Sequence, residues 1–327
     1  MRAVMLEEFG APLVLTEIEE PVPGPGQVLV RVAASGVNPL DIKIRAGKAA
    51  HARNHPPAVL GLDLAGVVVE VGPGVTGFDS GDEVYGLTGG VGDLQGSLAE
   101  YAAVDARLLA RKPESLSLRE AAALPLAVIT AWEALVDRAR VTAGQQVLVH
   151  GGAGGVGQVA IQVARARGAE VFATGSTRSL ETIARLGATP IDYTTTAVED
   201  YVTEHTGGEG FDVVLDTIGG TSLDLSFTAV RTYTGHVVSV LGWGTHSLAP
   251  LSFRGATYSG VFALLPMLTG QGREHHGEIL REAAALVDEG ALKPRVDPRR
   301  FTLATVADAH AAVESGASAG KMVIDVE

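Results

Sequence analysis

A glycine-rich segment between a buried strand and a helix constrains this chain more than any other feature. The apolar run Val147-Leu148-Val149 has the character of a parallel strand buried on both faces, and Gly152, Gly154 and Gly157 follow it as G-x-G-x-x-G. Within Val156–Ala164, apolar residues recur at the spacing of an amphipathic helix. This strand–loop–helix order predicts a site for a dinucleotide pyrophosphate, because loop N–H groups and the helix dipole attract the anion. The predicted cofactor contacts here are Gly152, Gly154, Gly155, Val156 and Gly157.

The residues after the second predicted strand indicate which dinucleotide binds. NAD-dependent enzymes carry an acid about twenty residues after the loop, where it binds the ribose hydroxyls. Here the strand Glu170–Thr174 leads instead into Gly175, Ser176, Thr177 and Arg178. Two hydroxyls and a guanidinium suit a 2′-phosphate, so we predict NADP(H). The missing acid also argues against a Rossmann-like methyltransferase.

The rest of the chain predicts two kinds of structure. The first third contains short β-rich runs separated by turns, including Val28–Val32, Gly66–Val71 and Leu98–Val104, and predicts an antiparallel, barrel-like β domain. From about Leu118, strands and helices alternate, which predicts right-handed crossovers and a doubly wound parallel sheet. The expected fold class is therefore α/β. Further predicted strands are Ile191–Tyr193, Asp212–Asp216, His236–Leu241 and, at the end of the chain, Lys321–Asp325.

Composition excludes several functions. A net charge of −13 without a cluster of basic residues argues against nucleic-acid binding. The absence of cysteine excludes disulfides, thiolate catalysis and cysteine-based zinc sites. The longest apolar run, Ala121–Trp132, is interrupted by Pro125 and is too short to span a bilayer. Since Met1–Gly10 lacks the apolar core of a signal peptide, we expect a cytoplasmic protein without a membrane partner.

Over essentially its whole length the chain resembles the zinc-independent quinone oxidoreductase branch of the medium-chain dehydrogenase/reductase superfamily. The resemblance implies a GroES-like catalytic domain, residues 1–123 and 264–327, with a Rossmann NADP(H)-binding domain, residues 124–263, inserted into it. A homodimer formed through the sheet edge near Thr257 to Ala263 is also implied. The segments that carry the resemblance are Ser35–Gly47, Gly61–Gly66, Gly81–Gly86 and His150–Gly157.

The ligands of the zinc enzymes in this superfamily are missing. Zinc alcohol dehydrogenases place a cysteine near Asn38 and a His-Glu pair where this chain has Leu62-Asp63. The close histidine pairs, His51/His55 and His275/His276, lie in polar, turn-rich stretches where no carboxylate completes a ligand set. We therefore predict no metal site.

The resemblance also implies a chemistry. Without a Lewis-acidic metal, hydride transfer is easiest to a conjugated acceptor, whose charge spreads to a distant oxygen that needs a hydrogen-bond donor. Lys43 is the predicted donor, because the pattern Asn-Pro-x-Asp-x-Lys resembles that of plant-type enone and alkenal reductases. Asn38 is expected to fix the substrate or the nicotinamide ribose, and Asp41 to orient Lys43. The alternative is that Lys43 is a surface lysine paired with Asp41.

Additional cofactor contacts follow from the resemblance alone. Thr130 matches a threonine near the nicotinamide ribose, and Tyr193 an aromatic residue beside the adenosine. Leu241-Gly242 and Val261-Phe262 are expected beside the carboxamide. The expected activity is NADPH-dependent, metal-free reduction of a small quinone or α,β-unsaturated carbonyl. Two alternatives remain open: an enoyl-thioester reductase, and a non-catalytic NADPH-binding protein similar to the lens crystallins of this branch.

Overall fold

The computed structural model describes residues 1–326, which divide into two compact units. The first unit comprises Met1–Leu126 and the described segment that begins at Leu264. The second unit is Ala127–Ala263. No helix among residues 1–326 is both long and apolar enough to cross a membrane.

The first unit is built on antiparallel sheets, as the short β-rich runs predict. Strands β1, β2 and β4 form a three-stranded sheet, and β3, β5, β6 and β8 pair in sequence in a larger sheet in which β7 also pairs with β3. Register shifts between β3 and β5 mark bulges, which increase the local twist of a sheet. The elements are β1 (Arg2–Leu6), β2 (Val14–Glu17), β3 (Gln27–Gly36), α1 (Pro39–Arg45), β4 (Ala58–Val59), β5 (Asp63–Val71), β6 (Glu83–Leu87), β7 (Tyr101–Asp105), β8 (Leu109–Arg111) and α2 (Leu118–Ala121).

The second unit contains a six-stranded, all-parallel sheet and confirms the predicted α/β fold class. The strand order is β11-β10-β9-β12-β13-β14, so the chain reverses direction across the sheet at β9. Ligands of doubly wound sheets bind at the carboxyl ends of the strands beside such a reversal. The elements are α3 (Pro125–Trp132), β9 (Gln146–His150), α4 (Gly155–Ala166), β10 (Glu170–Gly175), α5 (Leu180–Arg185), β11 (Thr189–Asp192), α6 (Val198–Thr206), β12 (Val213–Asp216), α7 (Thr221–Ala229), β13 (His236–Ser239), α8 (Ala249–Arg254) and β14 (Thr257–Gly260).

The C-terminal segment completes the first unit. Its last strand pairs antiparallel with β3 and brings Val323 opposite Gly36. Val37 donates its N–H to the carbonyl of Met322 (2.9 Å), which extends this contact toward Lys321. The residues before the last strand thus lie against the end of β3, where α1 begins. The elements are α9 (Leu265–Thr269), α10 (Arg273–Asp288), β15 (Phe301–Thr302), α11 (Val306–Glu314) and β16 (Val323–Asp325).

Candidate active site

The glycine loop between β9 and α4 packs tightly against the sheet. Gly152 donates its N–H to the carbonyl of Thr174 (3.0 Å), and Gly154 donates to the carbonyl of Gly151 (2.9 Å). A Cβ on Gly157 would lie 2.1 Å from the carbonyl oxygen of Gly151, so no larger residue fits there without moving backbone. The close approach of helix to loop explains the third glycine of the motif.

The first turn of α4, in contrast, faces open space. Gly154 and Gly155 are exposed, Val156 is half-buried, and a Cβ on Gly155 would meet no atom within 4 Å. The N–H groups of a helix N-terminus lack intrahelical partners and attract anions. This turn can therefore hold a pyrophosphate, and the loop geometry fits a dinucleotide.

Two glycine substitutions separate this binding role from a role in folding. We expect Gly155→Ala to keep or raise thermal stability, since alanine in a helix gains up to about 1 kcal/mol over glycine. The same variant should bind a dinucleotide about tenfold more weakly or worse, a loss of at least about 1.4 kcal/mol, because the methyl group takes the space of the phosphates. Gly157→Ala should lose about 1–3 kcal/mol of stability through overpacking. Thermal unfolding and a fluorescence titration measure both; Gly155→Ala with wild-type affinity would contradict the assignment.

Polar side chains support the loop from the ends of neighbouring strands. His150, the last residue of β9, lies with Nδ1 3.1 Å from Thr174 Oγ1, and its carbonyl accepts from Thr217 Oγ1 (2.7 Å). Asp216, at the end of β12, accepts from Ser239 Oγ (2.8 Å). Burial lowers the pKa of His150 to about 4, against the opposing effect of the Asp216 charge. The imidazole is therefore neutral at pH 7. Sequence reasoning missed these residues, although polar residues ending buried strands are a signal for them.

The structure brings Ser176, Thr177 and Arg178 together in the turn after β10. Arg178 and Thr177 are exposed and Ser176 is half-buried. The turn also contains an acid that sequence reasoning missed, because Asp192 ends the adjacent strand β11 and accepts a hydrogen bond from Thr177 Oγ1 (2.6 Å). Tyr193 follows it with an exposed ring. The predicted 2′-phosphate site thus combines hydroxyl groups, one guanidinium and one carboxylate.

The predicted carboxamide contacts lie at the carboxyl ends of the parallel strands, as the glycine loop does. Leu241-Gly242 follow β13 and Val261-Phe262 follow β14, and these two strands are adjacent. The sequence did not indicate Trp243, whose half-exposed indole stands edge-on to the Phe262 ring at 6.0 Å between centroids. Thr130 is buried on α3, a helix that precedes the parallel strands in the sequence.

In the first unit, Asn38 belongs to a buried ionic cluster. Its Nδ2 donates to Asp63 Oδ2 (2.9 Å), and its Oδ1 accepts from Lys321 Nζ. Lys321 Nζ also forms an ion pair with Asp63 Oδ2 (3.0 Å), and Asp63 Oδ1 accepts from the N–H of Leu126 (2.7 Å). Asn38, Asp63 and Lys321 are all buried. The Asn38 amide is therefore fully engaged inside the protein, which suits a positioning role better than direct contact with a substrate.

Asp41 faces this cluster rather than Lys43. Its Oδ2 accepts from the N–H of Asn38 (2.7 Å) and caps α1, while its buried Oδ1 has no partner in residues 1–326. Burial raises the pKa of Asp41 to about 7, and the Asp63 charge adds to the effect. Residues two apart on a helix do not face each other, and within the described chain Asp41 forms no ion pair with Lys43. The structure thus does not bring the predicted orienting pair together.

Lys43 lies on the exposed face of α1. The pKa of the nearby His51 is lowered, mainly by partial burial and also by the positive charge of Lys43. The Lys43 ammonium is thus positioned to donate a hydrogen bond outside the protein.

The residues of this unit do not fit a catalytic zinc ion. No group of three or more His, Cys, Asp or Glu side chains in the described part of the chain could hold a metal. The oxygens of Asn38 and Asp63 already bind the Lys321 ammonium, which supplies the positive charge at this position.

Comparison with known proteins gives matches along most of the chain. Residues 24–114 match the alcohol dehydrogenase GroES-like domain family, and residues 186–324 match the zinc-binding dehydrogenase family. The Arabidopsis thaliana NADPH-dependent alkenal/one oxidoreductase, chloroplastic, is 38% identical over 95% of this chain and 74% of its own length. The Homo sapiens quinone oxidoreductase is 32% identical over 99% and 97%. The crystal structure of an alcohol dehydrogenase superfamily protein from Novosphingobium aromaticivorans covers both chains completely, with 59% identity and a TM-score of 0.98.

Proposed function

The chain belongs to the quinone oxidoreductase branch of the medium-chain dehydrogenase/reductase superfamily, and on that premise we propose that it is an NADPH-dependent reductase of conjugated acceptors. The acceptor is a quinone or an α,β-unsaturated carbonyl compound. The observation that carries the proposal is the open first turn of α4, where a Cβ on Gly155 would meet no atom within 4 Å. The names of the two relatives supply the acceptor class.

The second unit provides the groups for the cofactor, which supplies the hydride when bound. The N–H groups of the first turn of α4, from Gly155 onward, would hold the pyrophosphate at the positive end of the helix dipole. Ser176 and Arg178 would bind the 2′-phosphate, and Tyr193, whose ring is exposed, would contact the adenosine. The nicotinamide end would be oriented by Thr130, Leu241-Gly242 and Val261-Phe262.

Lys43 stabilises the negative charge that develops on the acceptor oxygen. Its exposed ammonium donates a hydrogen bond to that oxygen. This hydrogen bond replaces the polarisation that the metal provides in the zinc enzymes of the superfamily. Asn38 and Asp41 position the helix that carries Lys43. Asn38 precedes the first residue of α1, and the Asp41 carboxylate caps the helix by accepting from the Asn38 N–H. The buried cluster holds both residues. The start of the helix that carries Lys43 is thus fixed to the sheet.

Lys43→Ala tests this role. We expect kcat/KM for an enone or quinone to fall about a hundredfold, the lower end of the range for losing one donor to a developing oxyanion, with the Kd for NADPH unchanged. The matched control is Lys48→Ala, which removes an exposed lysine just beyond α1 and should leave kcat/KM within about twofold, a few tenths of a kcal/mol. Turnover by Lys43→Ala equal to that of the control would remove Lys43 from the mechanism.

A substrate panel tests the proposed function itself. NADPH oxidation is followed with benzoquinones, alkenals, cyclic enones and an enoyl thioester, together with a titration of NADPH binding. Turnover of the quinones or the enones supports the proposal. Turnover of only the thioester would support an enoyl-thioester reductase, and binding without any turnover would support a non-catalytic NADPH-binding protein.

The domain roles, assembly and location extend the same proposal. Residues 1–123 and 264–327 form the substrate domain, and residues 124–263 form the NADP(H)-binding domain. The protein acts in the cytoplasm as a homodimer. The support for the dimer is that β14 is the last strand of its sheet and that Tyr258 on it is exposed, so a second copy can extend the sheet there.

A further inference from the structure

An acid lies inside the predicted 2′-phosphate site. The parallel pairing of β10 with β11 sets Asp192 beside Gly175, the residue that opens the Ser176-Thr177-Arg178 turn. Asp192 Oδ2 accepts from Thr177 Oγ1 (2.6 Å). Its Oδ1 accepts from the N–H (2.9 Å) and the hydroxyl (2.6 Å) of Thr194. The carboxylate is thus fixed by three hydrogen bonds at the end of the strand.

These hydrogen bonds keep Asp192 charged. The bonds from Thr177 and Thr194 lower the pKa of the carboxyl group below its usual value. A hydroxyl has one proton to donate, and Thr177 gives its proton to Asp192. A 2′-phosphate therefore finds no hydroxyl donor at Thr177 unless that bond breaks. It also meets the negative charge of Asp192, which is fixed next to that hydroxyl.

The same carboxylate suits an unphosphorylated ribose. Carboxylates accept hydrogen bonds from the 2′-hydroxyl of NAD, whereas cationic side chains accommodate the 2′-phosphate of NADP. The turn contains one group of each kind, Asp192 and Arg178, and both are at least partly exposed. Because their charges oppose each other, neither dinucleotide meets a site built for it alone.

We propose that Asp192 sets cofactor specificity by opposing the 2′-phosphate, so that the protein favours NADPH only modestly and also binds NADH. This inference rests on the proposed function, since it requires a dinucleotide on the second unit. It adds a residue, and a second cofactor, that the glycine loop and the Ser176-Thr177-Arg178 turn do not indicate.

The test is a pair of binding titrations without an acceptor, so that no catalytic step enters. Dissociation constants for NADPH and NADH are measured by nucleotide fluorescence for the wild type and for Asp192→Asn. We expect NADPH to bind about three- to tenfold more tightly in the variant, which is the range for one unit charge near a solvated site. We expect NADH to bind more weakly, so that the affinity ratio shifts about tenfold or more. The NADPH gain should shrink at high salt.

Two further variants separate charge from hydrogen bonding. Glu209→Gln removes one exposed acidic charge in the turn before β12, at the amino ends of the parallel strands and so away from the Ser176-Thr177-Arg178 turn. It should leave the affinities for NADPH and NADH unchanged. Adding Thr177→Val to Asp192→Asn should remove part of the NADPH gain, because the freed hydroxyl is then lost as a donor to the phosphate.

The outcomes distinguish this inference from the proposed function. If the wild type binds NADPH and Asp192→Asn leaves the ratio of the two affinities unchanged, Asp192 plays no part in specificity while the proposed function stands. An equal shift in Glu209→Gln would assign the effect to net charge alone and overturn the inference. If the wild type binds neither dinucleotide, both ideas fail together.

Discussion

Lys321→Met should destabilise the first unit by about 3–5 kcal/mol, the usual cost of leaving one partner of a buried ion pair uncompensated. The Lys321 ammonium lies 3.0 Å from Asp63 Oδ2 and also donates to Asn38 Oδ1. The side chain of Lys321 is 7% exposed and that of Asp63 is 0% exposed, so water cannot replace the lost cation without opening the fold. Urea unfolding at pH 7 measures the change in the free energy of unfolding.

The variant also tests whether the cluster positions α1. Lys321 holds Asn38, and Asn38 begins the helix that carries Lys43. We therefore expect the folded molecules of the Lys321→Met variant to have a lower kcat for an enone than the wild type. The Kd for NADPH should not change, because NADPH binds to the second unit. A stability effect alone, with full kcat per folded molecule, would limit Lys321 to a structural role.

Two controls make the stability prediction specific. Lys48→Met removes an exposed lysine and should change the free energy of unfolding by less than about 0.5 kcal/mol. The double variant Asp63→Asn/Lys321→Met removes both charges and should recover part of the loss, because no uncompensated buried ion remains. If Lys321→Met equals Lys48→Met in stability, the ion pair contributes nothing and the account of the cluster is wrong.

Sequence alone could predict those parts of the fold and of the site that depend on residues close together in the chain. The β9–loop–α4 unit lies within about twenty consecutive residues, and its glycines, its apolar strand and its helical stripe all indicate the same structure. The alternation of strands and helices in the second unit likewise depends on short-range patterns. The fold class of the chain was predictable for this reason.

The buried cluster could not be predicted in this way. Asn38 is 25 residues from Asp63 and 283 residues from Lys321, so only the pairing of β16 with β3 brings the three together. Short-range periodicity contains no information about such pairing. Without the partners, Asn38 looked like a free amide near a substrate, whereas its donors and its acceptor are engaged in the protein.

Two other omissions had readable signals. Helix α1 is only seven residues long, too short for an apolar stripe, but Asn38, Pro39 and Asp41 are the residues expected at an N-cap, a first helical position and a capping box. Asp192 ends β11, one strand beyond the position about twenty residues after the loop where a ribose-binding acid is expected. In a parallel sheet the adjacent strand β11 brings its own last residue to the same edge.

Acid should destabilise the protein through two buried histidines, one in each unit. Burial lowers the pKa of His150 to about 4 and that of His310, beside Arg45, also to about 4. An unfolded histidine has a pKa of about 6.5. Between pH 6.5 and 4 the unfolded chain therefore binds more protons than the folded chain, and the free energy of unfolding falls as the pH falls. The stabilisation is fully present above pH 6.5.

The size of the effect follows from the shift. Lowering the pKa of each histidine from 6.5 to about 4 corresponds to about 3 kcal/mol per residue. Asp41 acts in the opposite direction, because its pKa is raised to about 7 in the folded state. As the pH falls through 7, the folded chain takes up a proton at Asp41 that the unfolded chain takes up only near 4, and this offsets part of the loss. Asp41 lies in the first unit. The stability that the second unit loses in acid through His150 should therefore not be offset.

His150→Gln isolates this contribution, because glutamine cannot be protonated and its amide can still bond Thr174 Oγ1. Urea unfolding of the wild type and the variant at intervals from pH 4.5 to 7.5 gives the slope of stability against pH. We expect the variant to lose most of the net acid dependence, because Asp41 offsets the loss from His310 within the first unit. If the two units unfold separately, the change should appear in the transition of the second unit. His55→Gln changes an exposed histidine and should keep the wild-type slope. Equal slopes for His150→Gln and the wild type would show that His150 is protonated in the folded protein as readily as in the unfolded chain, and the neutral, buried imidazole beneath the glycine loop would have to be abandoned.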